Sequence, residues 1–196
     1  MTHQSLQARS IPVLLSTAFL LVHGIIPSSA HTFRDKNFDA LVMEADQILV
    51  GTVASAVGRK LPNGAIVTDI ALSGVETMKG PAVSETVLTV LGGTVGEETL
   101  ELTGLPTFEL TARYLIFLKD DGRAIFPVVG GDHGLFHVEK DHASGEDIVL
   151  DAYGRPLATS RRAELPQDPS VPNVLVQPGV PLRVLRKAIL IRLQLP

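Results

Sequence analysis

From Ile48 to Val138 apolar and polar residues alternate with a period of two, in short runs separated by turn residues. A pattern of this length commits the chain to β-structure, because a two-residue period puts successive side chains on opposite faces of a strand. The expected strands are Gln47–Val57, Ala65–Val75, Thr86–Leu91, Leu100–Thr103, Arg113–Lys119, Ala124–Val129, Leu135–Glu139 and Asp147–Asp151. Pro62-Asn63-Gly64 and Asp120-Asp121-Gly122 supply hairpin chemistry, and Gly92-Gly93 and Gly130-Gly131 break the runs. Arg113–Lys119 is nearly continuous in apolar residues and reads as a strand buried on both faces. Short strands at this spacing predict a mainly β fold, a small closed antiparallel barrel, since closure removes exposed strand edges.

Two helices frame the strands. Phe38, Leu41, Val42 and Ala45 recur at helical spacing within Phe33–Ala45. Pro181–Leu195 forms the second helix, with Pro181 at its first position. Between the barrel and this helix, residues 155–181 carry six of the thirteen prolines and read as an extended linker. The expected organisation is a leading segment 1–30, a β-domain 31–154, a linker 155–180 and a terminal helix 181–196.

Residues 1–30 read as a secretory signal peptide. Arg9 supplies the positive end, Ile11–Ile26 the apolar stretch, and Pro27-Ser28-Ser29-Ala30 the small residues of a cleavage site. Cleavage after Ala30 predicts an exported protein, periplasmic or secreted, beginning at His31. Losing Arg9 leaves 16 Lys and Arg against 21 Asp and Glu, a formal charge of −5. An acidic domain speaks against nucleic acid as a partner, because phosphate binding needs a concentrated basic face. The absence of cysteine excludes thiol catalysis, thiolate metal sites and disulfides.

The candidate chemistry is sparse. No G-x-S-x-G elbow, H-E-x-x-H pair or phosphate-binding glycine loop occurs, so no catalytic residue is assigned and no cofactor is expected. The acid pairs Glu97-Glu98 and Asp120-Asp121 fall in turns and read as solvated. His133 and His137, within Asp132–His142, are candidate ligands for Zn²⁺ or Cu²⁺. On a straight strand they stand roughly 13 Å apart, too far to share an ion. His31, as a processed N-terminus, is a third candidate: amine and imidazole together chelate copper, with His133 or His137 completing the site. The terminal helix carries Arg183, Arg186, Lys187 and Arg192 and no acid. It either packs Leu185, Ile189 and Leu193 on the domain or lies on an anionic membrane surface.

The order of apolar and glycine motifs adds a resemblance. Ala45–Val53 (ADQILVGTV), Met78-Lys79-Gly80, Gly92–Gly96 (GGTVG), Gly104–Phe108 (GLPTF), Tyr114–Leu118 (YLIFL) and Pro127–Phe136 (PVVGGDHGLF) follow one another over about half the chain. In this the chain resembles a family of exported bacterial domains, some of them found beside matrixin-type metalloproteases. It is also similar to the netrin-like, OB-type barrel of the tissue inhibitors of metalloproteinases. The resemblance implies an OB-type barrel; a small scaffold without a catalytic constellation then reads as a binding module, with a protein partner such as a protease. Those inhibitors ligate the target's zinc with an N-terminal cysteine; this chain has none, and His31 stands nearest to that role. The reading is a non-catalytic binding module, the alternatives being an envelope protein docked through its basic helix or a copper or zinc binder.

Overall fold

A computed structural model describes residues 36–102, 105–119, 126–157 and 179–194. By backbone contacts the chain divides into Met1–Thr32 and Phe33–Pro196, and every described residue belongs to the second unit.

Helix α1 (Phe38–Glu44) begins at Asn37, whose side-chain oxygen accepts from the Ala40 amide at 2.8 Å. That bond satisfies one of the orphan donors of a helix start. Strands β1 (Gln47–Lys60) and β2 (Ile66–Lys79) form a long hairpin through the Pro62-Asn63-Gly64 turn. β3 (Glu85–Leu91) returns along β2. A two-stranded hairpin follows, β4 (Gly93–Val95) with β5 (Glu98–Leu100). β6 (Arg113–Leu118) pairs with β1, β7 (Leu135–Lys140) with β6, β8 (Asp147–Leu150) with β7, and β9 (Val180–Pro181) with β8. The terminal helix α2 (Leu182–Gln194) follows β9 directly.

The fold is therefore mainly β, one seven-stranded antiparallel sheet in the order β3-β2-β1-β6-β7-β8-β9 with two helices. The expected closure is corrected by this order. β3 and β9 are the two ends of the sheet, and no ladder joins them among the described residues. The reason is geometric. β6 pairs with β1 only from Gln47 to Thr52, whereas β2 pairs with it as far as Lys60. Register shifts at Ile48/Leu49, Val50/Thr52 and Val53/Ser55 bend β1 in this region. The second half of β1 therefore runs on beyond β6, paired with β2, which in turn pairs with β3.

Two apolar clusters result, one on each face. The first gathers Ile48 and Val50 of β1, Leu115 and Phe117 of β6 and Phe136 of β7 beneath both helices. The second joins Leu49, Tyr114, Ile116 and Leu135 to Ile70 and Leu72 of β2 and to Leu88 and Val90 of β3. β6 contributes to both, and Tyr114 to Leu118 are all buried, as its unbroken apolar run predicts. α2 seats Leu182, Val184, Leu185, Ala188 and Ile189 in the first cluster, with Leu193 packed beside them. The linker expected over 155–180 lies outside the described residues from 158 to 178.

Candidate functional site

The bend in β1 leaves a gap beside its second half, and the β4–β5 hairpin fills part of it. Its seat depends on a close approach. A Cβ at Gly58 would stand 2.2 Å from the Thr94 carbonyl oxygen, so only glycine admits the hairpin at this distance. The Thr68 hydroxyl donates to the Gly92 carbonyl at 2.7 Å, and Gly92 N–H donates to the Ile66 carbonyl at 2.8 Å. Lys60 pairs with Glu98 at 2.7 Å across the outside. Glu98 is thus part of the hairpin's attachment to β1 and not half of an acid pair.

Between this hairpin, the ends of β2 and β3 and the 105–108 segment lies a cleft of about 420 Å³. Ile70, Val90, Leu102, Leu105, Phe108 and Phe126 give it an apolar floor, and Thr94, Thr99 and Thr107 give it a polar rim. Phe108 is held by aromatic contacts, its ring 5.3 Å from Tyr114 and 6.3 Å from Phe126. The Tyr114 hydroxyl accepts from the Glu109 amide at 3.0 Å and so fixes the segment that carries Phe108. Burial pushes the Tyr114 phenol above its ordinary range, which keeps it a neutral hydrogen-bonding group. The cleft opens beside β3, the end strand of the sheet, where Val87 is 60% exposed.

A second, polar hollow of about 460 Å³ lies where the loop before β6, β7 and the turn after β8 meet. It is lined by Glu109, Thr111, His137, Glu139, Tyr153 and Gly154, among others. Here the structure places one of the predicted histidines. His137 is 7% exposed, the buried polar side chain of the described core, with its ring 4.4 Å from Tyr114. His133 is elsewhere in kind: it sits in a 3-10 turn, Gly131–Gly134, with its Nε2 3.8 Å from Asp132. The strand spacing assumed for the two histidines therefore does not apply to them. No group of three His, Asp or Glu side chains that could hold a metal occurs among the described residues. His31 lies outside them.

The basic helix is a third candidate surface. Its arginines are tied to acids of the domain: Arg183 to Glu146 at 3.1 Å, Arg186 to Glu76, and Arg192 to Asp39. Arg192 also lies 5.0 Å over the Phe38 ring. The positive charge thus fastens α2 to the sheet and to α1. No helix among the described residues is long and apolar enough to cross a membrane.

No protein-family model, curated protein or solved structure matches the chain. The two clefts and the helix surface therefore carry the functional argument. Sequence reading missed the apolar cleft because its floor comes from four stretches far apart in the chain, β2, β3, residues 102–108 and Phe126. The signal that pointed to it was Gly92-Gly93, read as a turn, whose positive φ angles begin the docked hairpin.

Proposed function

We propose that the chain is an exported, non-catalytic binding module that seats an extended apolar segment of a partner protein in the cleft beside the β4–β5 hairpin. The carrying observation is the pairing of an apolar floor with an adjacent sheet end, β3, whose outer edge carries no strand among the described residues. Val90 and Leu91 close β3 and also line the cleft. A strand added along β3 gains main-chain hydrogen bonds and drops an alternate side chain onto Ile70 and Phe108. On this reading the scaffold is an opened relative of the OB-type barrel, akin to netrin-like inhibitors, with the face beside the bend serving as the binding face. A protease is the partner class that this kinship favours. The signal-peptide pattern of residues 1–30 supports export.

Membrane docking through α2 has weaker support, because an arginine already paired with a carboxylate offers little attraction to an anionic headgroup. The test uses peptides selected from a displayed library for binding to the full chain, measured by fluorescence anisotropy. Enrichment of extended apolar sequences is expected. Thr107→Trp, which fills the cleft from its exposed rim, should weaken them roughly tenfold, the loss of one buried aliphatic anchor. Enrichment of acidic or helical sequences insensitive to Thr107→Trp contradicts the proposal.

A further inference from the structure

The polar hollow around His137 has a charge pattern that the apolar cleft lacks, and we infer that it is a second binding site, for a cationic nitrogen group of the lysine or arginine type. Three observations converge. First, His137 is buried, lines the hollow, and among the described residues its ring nitrogens receive no side-chain or backbone hydrogen bond. A buried imidazole whose nitrogens lack a hydrogen-bond partner carries a desolvation cost that a ligand removes. Second, two carboxylates, Glu109 and Glu139, stand on the same walls, and neither enters an ion pair among the described residues. Glu139 is two residues from His137 on β7 and so shares its face. Third, Thr111 closes the hollow with φ +66°, a left-handed conformation that a β-branched residue rarely adopts. Its amide donates to the Val53 carbonyl at 2.9 Å, which holds the loop in that shape against β1. Strain retained at a concave polar wall is characteristic of ligand sites.

The cations nearby are already engaged. Arg113 is bound to Asp147 at 2.6 Å and to Glu76 at 3.2 Å, and Arg155 to Asp151 at 3.0 Å. The Arg155 guanidinium also lies 4.8 Å over the Tyr153 ring, so that ring is already engaged. The hollow therefore presents two carboxylates without an ion pair among the described residues, a hydroxyl and an imidazole, a set that suits an ammonium or guanidinium group. An anion meets two like charges there. The acids and the imidazole do not converge as a metal site.

The experiment is an NMR titration of the full chain, following the His137 ring proton and the Tyr153 ring. The probes are N-acetyl-arginine methylamide, N-acetyl-lysine methylamide, N-acetyl-glutamate methylamide and zinc chloride. Saturable shifts with the arginine or the lysine probe are expected, the stronger of the two naming the side chain. Glu109→Gln and Glu139→Gln should each weaken that response roughly fivefold, with the amide spectrum otherwise retained. Shifts with zinc alone, equal shifts with the acidic probe, no shift with any probe, or cation binding unchanged in both variants would each overturn the inference. Because the apolar cleft lies on other residues, its peptides and Thr107→Trp report on the proposed function independently.

Discussion

Single residues set the shape of both hollows. Thr111 carries left-handed backbone where asparagine or glycine is at ease, and its side chain is exposed. Thr111→Asn should therefore raise stability by about 1 kcal/mol in urea unfolding, since asparagine tolerates that conformation at little cost. A loss of that size would mean that the hydroxyl stabilises the loop. Such a position is invisible in sequence, because nothing in Leu110-Thr111-Ala112 departs from a strand-like pattern. His137 is the opposite case. The sequence marked it as a ligand candidate beside His133, but its burial follows from facing Tyr114 across the β6–β7 ladder, a pairing no local spacing reveals.

At the scale of elements, the strands with strong turn signals and unbroken apolar runs were legible. β1, β2, β3, β6, β7 and β8 all overlap their expected positions, and α1 and α2 follow their apolar periodicity. The β4–β5 hairpin was not. Its strands are three residues long, and its position rests on tertiary contacts with Gly58 and Thr68, not on propensity. β9 was hidden for the same reason, being two residues placed by β8. Charge also acts between elements. Lys140 and then Arg113 hold the Asp147 carboxyl below its usual range, and the same Arg113 reaches Glu76, which Arg186 of α2 also binds. A depressed carboxyl contributes stability above the unfolded carboxylate range and loses it as pH falls through the folded value. Asp147→Asn should therefore cost about 1 kcal/mol at neutral pH and nothing once both states are protonated, in denaturant unfolding at the two pH values.

For the whole molecule, the alternating pattern predicted β-structure but not whether the sheet closes. Closure depends on where β1 stops pairing with β6, and that is decided by bulges near Val50 and Val53 that leave the period of two nearly intact. The terminal helix is integral to the result. Leu185 is fully buried between α2 and the sheet, so Leu185→Ala should cost about 3 kcal/mol of global stability by thermal or urea unfolding. A helix merely resting on the domain predicts a much smaller loss.

The proposed function depends most on the hairpin building a cleft that receives a partner's chain. Gly58→Ala tests it by pushing a methyl group into the Thr94 carbonyl while leaving both apolar clusters in place. The measurement is NMR shift mapping of a selected apolar peptide on the wild-type and Gly58→Ala proteins. Shifts gathered on Ile70, Val90, Gly92 and Phe108, and weakened roughly tenfold in a variant that stays folded, are the predicted result. Shifts gathered on α2, or unchanged binding in Gly58→Ala, would contradict it.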